Sequence, residues 1–226
     1  KKGKIKRFIY ASSSSVYGIS KKKNVTENHK LLPLTLYNKY KGMCEPLLFK
    51  HTDQNFCGVV FRPATVCGYS PKMRFDLSVN ILTNFAYNKK IIKVFGGKQL
   101  RPNLHILDYC EAVLKLIKAP KNKIYNQIFN VGNQNMSIDN IAKLVKNIIE
   151  KRYKQKIQII KTKSNDNRSY HINSDKIKRV LKFKPKKNIQ NAIIEICKAF
   201  DNNKIKNSFT NLNFFNVEKL KKLKVK

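Results

Sequence analysis

The chain has 226 residues and a mass of 26.3 kDa; at 42% hydrophobic and 10% aromatic it can bury a sizeable core, which excludes a disordered chain. Lys and Arg number 48 against 13 Asp and Glu, a formal charge of +35, yet they are spread along the chain and not gathered on one element with interleaved aromatics, so no nucleic-acid partner is expected. No apolar run is long enough to span a bilayer and no signal-peptide pattern opens the sequence, so no membrane partner and a cytoplasmic location are expected.

Basic residues cluster only at Lys21–Lys23 and in the tail from Lys219 to Lys226. With abundant lysine, asparagine and isoleucine, the charge reads as the drift an AT-rich genome imposes on exposed faces. Five cysteines (Cys44, Cys57, Cys67, Cys110 and Cys197) form no C-x-x-C pair. They read as reduced, buried thiols, with no metal site.

Residues 7–11, Arg-Phe-Ile-Tyr-Ala, end in four serines and read as a buried parallel strand. Residues 33–48 read as a loop leading into a helix, in which Pro46 predicts a kink or an early end. Residues 58–62, followed by Pro63, are a second buried strand. Residues 76–87 predict an amphipathic helix with Leu77, Ile81, Leu82 and Phe85 on its apolar face. Residues 91–95 predict a strand stopping at Gly96-Gly97. A helix then runs to Leu116 with Asp108 as its N-cap. Residues 127–131 are a strand ending at Gly132, and Ser137 caps a long helix carrying Ile138, Ile141, Ala142, Val145, Ile148 and Ile149. A strand over 157–160, a helix to Leu181 capped by Ser174, a break at Pro185 and a helix over 189–200 complete the pattern. Strands alternating with helices predict an α/β fold with a mainly parallel sheet.

The stretch from Ser12 to Lys41 carries the chemistry. A buried strand delivers Ser12-Ser13-Ser14-Ser15-Val16-Tyr17-Gly18 at its C-terminal end, where open α/β sheets place their ligands. Further on comes Tyr37-Asn38-Lys39-Tyr40-Lys41. Positions four apart share a helix face, so Tyr37 and Lys41 point the same way. An ammonium beside a phenol favours the phenolate, lowering the phenol's pKa from about 10 and making it usable as a base.

Tyr37-x-x-x-Lys41 with a strand-end serine upstream resembles the catalytic triad of the short-chain dehydrogenases/reductases. The sequence around it, Ser-Ser-Val-Tyr-Gly over 14–18 and Pro33-x-x-x-Tyr37, strengthens the likeness. Phe61-Arg62-Pro63-Ala64-Thr65-Val66-Cys67-Gly68 looks like the Leu-Arg-x-x-Asn-x-Tyr-Gly segment of the extended branch, which acts on nucleotide sugars. Residues 96–108 look like its Gly-x-Gly-x-x-x-Arg-Asp-x-x-His-Val-x-Asp segment, Phe129-Asn130-Val131-Gly132-Asn133 like the strand that follows, and Arg168 like its late arginine. The likeness covers residues 5 to about 200.

The resemblance implies the C-terminal part of a Rossmann-like parallel sheet (1–72 and 101–135) plus a small α/β substrate-binding lobe (73–100 and 136–226). It implies Ser13, Tyr37 and Lys41 as catalytic residues, and Ser12, Tyr37, Lys41, Pro63 and Ala64 against NAD. Ser14, Ser15, Thr65, Arg101 and Arg168 would contact a nucleotide-diphosphate sugar, the two arginines holding its diphosphate. His105 and Asp108 read as structural, and Asn133 either as a pocket residue or as a loop cap. A homodimer is also implied.

Ser14 and Ser15 stand where the family's dehydratases and decarboxylases carry acids, so the string looks instead like that of UDP-sugar 4-epimerases. Thr65, Cys67 and Pro102 depart from the family's Asn, Tyr and Asp, which leaves room for a 4-keto-sugar reductase or, less readily, a 4,6-dehydratase. A basic nucleic-acid- or membrane-binding module on a degenerate scaffold is the alternative from another class. The sequence contains no Gly-x-x-Gly-x-x-Gly turn after a first strand; it is read as part of a longer protein, and weak NAD binding by these residues alone is expected.

Overall fold

The computed structural model describes residues 4–20, 22, 24–164 and 169–223. In chain order the elements are β1 (Arg7–Ala11), α1 (Leu36–Lys50), β2 (Cys57–Pro63), β3 (Thr65–Cys67), α2 (Ser78–Lys89), β4 (Ile91–Phe95), β5 (Leu100–His105) and α3 (Ile106–Lys118). There follow α4 (Lys121–Ile124), β6 (Gln127–Val131), β7 (Gln134–Ser137), α5 (Ile138–Tyr153), β8 (Gln158–Thr162), α6 (Asp175–Leu181), α7 (Ile189–Asp201) and α8 (Asn216–Lys222). The fold is α/β, as the alternation predicts.

Strands β1, β2 and β6 form a parallel sheet with β2 in the middle. Flanked on both edges, β2 is buried from Cys57 to Arg62, which is why its sequence reads as an unbroken apolar run up to the arginine. Strands β3, β5 and β7 form a second sheet, parallel between β3 and β5 and antiparallel between β5 and β7. These three strands escape a periodicity reading: β3 has three residues, β5 contains Pro102, and β7 is polar. In the parallel pair β4 and β8, β4 packs against α2 and α5, and α7 packs against those two helices.

One core gathers Tyr17, Val59, Phe61, Leu116, Phe129 and Val131 with Tyr170, Ile172 and Phe183 from late in the chain. A second joins Val79, Leu82, Ile92 and Val94 to Ile141, Val145, Ile149 and Ile193. A third, smaller one holds Met73, Phe75 and Phe200, with Phe214 edge-on to Phe75.

Several local expectations are corrected. Pro46 does not end α1 early, since the helix runs on to Lys50. Its neighbours hold it in place: Glu45 is locked in a buried ion pair, and the Leu48 side chain lies where a Cβ on Gly58 of β2 would be. The buried face of α2 is Val79, Leu82, Thr83 and Ala86, one residue round from the expected stripe, because Leu77 is the N-cap and Ile81 and Phe85 are only half-buried. Helix α3 begins at Ile106 with His105 as its cap, so Asp108 lies inside the first turn. Its carboxylate accepts instead from the backbone N–H groups of Lys186 (2.8 Å) and Lys187 (2.9 Å). Ser174 stands at the start of α6, but its hydroxyl accepts from Gly132 N (2.9 Å) and not from the helix. Of the cysteines, Cys57, Cys67 and Cys197 are buried, whereas Cys44 and Cys110 are exposed because they sit on the outer faces of α1 and α3. Among the described residues no helix is long and apolar enough to cross a membrane, and no group of three or more His, Cys, Asp or Glu could hold a metal ion.

Candidate active site

Because β1, β2 and β6 are parallel, their C-terminal ends face one side of the sheet, the side on which such sheets bind ligands. The chain leaves β1 there and turns. Ser12 N donates to Phe61 O of β2 at 2.9 Å. Ser13 then caps a single 3₁₀ turn, Ser14–Tyr17, its hydroxyl accepting from Ser15 N at 3.2 Å. Gly18 ends the turn at φ +64°, where any Cβ would collide with the Leu32 carbonyl, so the glycine is required twice over.

Helix α1 comes back against this turn. Thr35 caps it, accepting from Asn38 N at 3.2 Å, which puts Tyr37, Asn38 and Lys41 in its first two turns. Lys41 Nζ donates to Ala11 O, the last carbonyl of β1, at 2.6 Å, and lies 5.0 Å from the Tyr10 ring and 5.9 Å from the Tyr37 ring. Tyr37 itself is exposed. Ser13 and Ser15 share a hydroxyl–hydroxyl contact of 2.7 Å, and Ser15 Oγ donates to Asn38 Oδ1 at 2.7 Å. The structure thus brings Ser13, Tyr37 and Lys41 to the end of β1, the serine turn joined to the Tyr-Lys helix through Asn38. Burial pushes the neighbouring Tyr10 phenol well above its ordinary range, Cys44, Glu45 and Tyr37 adding to the effect, so Tyr10 stays protonated beside the lysine.

Beneath the turn lies a polar network that the sequence reading missed. Glu45, on the same helix as Lys41, is buried and pairs with buried Arg62 of β2 through two hydrogen bonds of 3.0 and 2.5 Å. Ser12 Oγ donates to Glu45 at 2.6 Å. Arg62 donates onward to Tyr17 Oη (2.8 Å) and to Glu27 O (3.0 Å), and Tyr17 donates to Asn130 Oδ1 of β6 at 2.7 Å. Burial works against the Arg62 charge, but the bonds to Glu45 and Tyr17 outweigh it and hold the guanidinium more basic than usual. Burial raises the Tyr17 phenol, against the opposing pull of Arg62, so Tyr17 is a neutral donor. One ion pair therefore holds the serine turn at both ends. Its only trace in the sequence is a lone acid, Glu45, one helical turn beyond Lys41 in a very basic chain, and an arginine in an otherwise apolar strand.

The other expected site residues are distributed as follows. Ser12 is buried, with its hydroxyl turned inward to Glu45, and Ser14 is buried within the turn. Pro63 ends β2, Ala64 N donates to Val131 O at 2.8 Å, and half-buried Thr65 opens β3 in the second sheet. Arg101 lies in β5, also in the second sheet, nearly buried, with Nη1 donating to Leu100 O at 3.0 Å. Arg168 lies outside the described residues. Asn133 Nδ2 donates to Lys187 O at 2.7 Å, and His105 Nε2 meets Glu195 of α7 at 2.9 Å, so both tie α7 and the segment before it to the sheet ends.

Fold and site together define an α/β protein with a hydroxyl-rich turn and a Tyr-x-x-x-Lys helix at the C-terminal end of a parallel sheet. The chain belongs to the NAD dependent epimerase/dehydratase family, whose family model matches residues 1–132. It is 30% identical over 209 residues to an uncharacterized protein of Methanocaldococcus jannaschii, covering 88% of this chain and 60% of that protein. It is also 30% identical over 149 residues to an uncharacterized UDP-glucose epimerase of Bacillus subtilis, covering 64% of this chain and 45% of that one. Among solved structures, it is similar to a UDP-glucuronic acid 4-epimerase from Bacillus cereus in complex with UDP-glucuronic acid and NAD. The TM-score is 0.75 at 24% identity, over 87% of this chain and 62% of that one. The chain spans about three-fifths or less of the length of these curated relatives.

Proposed function

We propose that this chain acts in the NAD-dependent epimerisation of a nucleotide-activated sugar at C4, through a transient 4-keto sugar. The observation that carries the reading is that Lys41, one turn beyond Tyr37 on α1, bonds the last carbonyl of β1, while Ser13, just after that strand, is joined through Ser15 to Asn38 of the same helix. Family membership supports it, as does the absence of a carboxylate at Ser14 and Ser15, which disfavours dehydration.

The residues present fit the ribose end of a nicotinamide nucleotide. The Ala11 carbonyl takes one of the three hydrogens of the Lys41 ammonium, which leaves donors for ribose hydroxyls, and the exposed Tyr37 phenol stands on the same helix face. Pro63 and Ala64 would line the cofactor from the end of β2, and Ser12 through its backbone, since its hydroxyl is committed to Glu45. NAD, when bound, supplies a hydride acceptor and donor for the sugar carbon.

Tyr37, as phenolate, takes the proton of the C4 hydroxyl and later returns it to the keto oxygen. Lys41, 5.9 Å from the ring, stabilises the negative charge on the phenol oxygen. Ser13 hydrogen-bonds the C4 oxygen. Inversion requires that the keto sugar present its other face before reduction, which calls for a pocket that holds the nucleotide firmly and the sugar loosely. Ser14, Ser15, Thr65, Arg101 and Arg168 are assigned to that pocket, the arginines to the diphosphate. On this reading residues 1–72 and 101–135 serve the cofactor, and 73–100 and 136–226 the nucleotide sugar. The exposed stripe Leu36, Tyr40, Met43 and Leu47 on α1 supports pairing with a second copy of the protein.

The test is to follow C4 inversion of UDP-glucose and UDP-glucuronic acid by the purified protein with NAD. Inversion without net NADH is expected, and Tyr37→Phe should lower kcat by about 10²–10⁴-fold. Stoichiometric NADH formation would indicate a one-way oxidoreductase, and undiminished turnover by Tyr37→Phe would overturn the assignment.

A further inference from the structure

None of the residues of α8 is buried. Its apolar side chains stand in the open: Val217 is 60% exposed, Leu220 53% and Leu223, at the C-cap, 62%. At about 100° per residue the three share one arc of about 120°. Lys221 stands about 40° beyond Val217 and Lys219 about 40° before Leu223, so a lysine borders the arc on each side. Lys222 and Glu218 occupy the opposite side, and Lys224 and Lys226 follow in the sequence, outside the described residues.

The helix is rooted at its first turn. Phe75 N donates to Phe214 O at 2.9 Å, the Phe214 ring stands edge-on to Phe75 in the third core, and Asn216 N donates to Asp76 Oδ2 at 3.2 Å. Asn213, just before the helix, accepts from two lysines: Lys219 Nζ reaches its Oδ1 at 2.7 Å and Lys72 Nζ its backbone oxygen at 2.9 Å. The root is thus fixed and positively charged, while the apolar arc is held outward. Seven helical residues are too few to be stable by themselves, and packing gives this helix no buried face. Compositional drift toward lysine does not produce the pattern, because drift has no phase and would not gather Val217, Leu220 and Leu223 on one side with charge on both borders.

We propose that α8 is a docking surface for an anionic phospholipid bilayer, its apolar arc entering the boundary between headgroups and acyl chains and its lysines lying among the headgroups. The absence of a spanning helix among the described residues bears on crossing a bilayer and not on lying against one. Residues 219–226 carry five lysines, within the range of about 4–8 basic residues by which amphipathic segments hold anionic lipid. Lysine stems can lie along apolar surface while their ammonium groups stay at the headgroups. Other occupants fit less well. Residues 216–226 contain no arginine and no aromatic ring, the groups that fork onto phosphates and stack on bases, which disfavours a nucleic acid. A second copy meeting through α8 would set the lysines of the two helices against each other, with only Glu218 of each to offset them.

The test is co-sedimentation of the purified protein with vesicles of phosphatidylcholine alone and of phosphatidylcholine with about one-third phosphatidylserine. The anionic vesicles should be bound about 10-fold more tightly or better. At about 5-fold per lysine, Lys221→Gln with Lys222→Gln should weaken that binding about 30-fold. Leu220→Asn with Leu223→Asn keeps every charge and should weaken it about 10-fold or more, because the arc no longer enters the lipid. All four side chains are exposed, so equal melting midpoints separate loss of binding from loss of fold. Val217→Trp puts the chain's only tryptophan on the arc, and its emission should shift to the blue with anionic vesicles but not with poly-uridylate RNA.

No preference for the anionic vesicles, undiminished binding by the leucine variant, or an unshifted emission overturns the proposal. Tighter binding to poly-uridylate than to the anionic vesicles overturns it in favour of a nucleic acid. A dimer that falls apart in the leucine variant without lipid present overturns it in favour of a second copy.

Discussion

The buried pair Glu45–Arg62 offers the sharpest test of how the site is held. Glu45→Ala leaves the Arg62 guanidinium buried without its counter-charge and the Ser12 hydroxyl without its acceptor. Breaking one side of such a pair costs about 3–5 kcal/mol, because the surviving charge keeps its desolvation penalty and loses its compensation. Against a total stability of about 5–15 kcal/mol this is a large share. At about 2–4 °C per kcal/mol for a chain of this size, the melting midpoint should drop by about 6–20 °C. Replacing both partners with apolar residues of similar volume, Glu45→Leu with Arg62→Met, removes charge and penalty together. What remains is the loss of hydrogen bonds to Ser12 Oγ, Tyr17 Oη and Glu27 O, about 1–3 kcal/mol in all, and Tyr17 keeps its bond to Asn130. The double variant should therefore be more stable than Glu45→Ala. Urea and thermal denaturation followed by circular dichroism decide it, and a double variant less stable than Glu45→Ala would refute the electrostatic account.

Three further outcomes are expected. Gly18→Ala should destabilise by about 1–3 kcal/mol or fail to fold, since the residue sits at positive φ with its missing Cβ aimed at the Leu32 carbonyl; an unchanged melting midpoint would contradict this. In the native protein an aromatic disulfide reagent should react with two thiols, Cys44 and Cys110, and with Cys57, Cys67 and Cys197 only on unfolding. Burial pushes the Cys67 thiol up to about 12, aided by Glu195 and Asp108, and the Cys197 thiol up to about 11. For Asp201, burial raises the carboxyl, but hydrogen bonds from Arg152, Tyr153 and Tyr87 outweigh it and hold the group below its ordinary range. A depressed carboxyl contributes stability above its unfolded pKa of about 3.9 and loses it as pH falls through the folded value, so Asp201→Asn should be less stable at neutral pH and lose less stability as pH falls below about 4. Parallel acid-denaturation curves for the two proteins would rule this out.

Much of the architecture was legible because it is local. The unbroken apolar run of β2, the Ser137-capped pattern of α5 and the spacing of Tyr37 and Lys41 each follow from residue type and spacing along the chain. Strand β1, expected to be buried, instead lies at the edge of its three-stranded sheet among the described residues, half-buried and with Phe8 exposed. Errors arose where distant partners decided. The rotation of the buried stripe on α2 was set by α5 and α7, which no pattern within residues 76–87 encodes. Asp108 and Ser174 carry the side chains of helix caps, yet Lys186, Lys187 and Gly132 claimed them.

The sequence by itself determined the alternation of elements, the hydroxyl-rich turn after β1 and the tyrosine and lysine one helical turn apart, because these depend on residue type and spacing alone. Only the tertiary structure decided that Glu45 and Arg62, seventeen positions apart, close the two ends of that turn, and that Asn38 joins its serines to the helix. The physical reason is that a buried polar group must find its partner wherever the packing of sheet and helix brings one within hydrogen-bond reach, and that meeting is a property of the fold and not of the neighbouring residues.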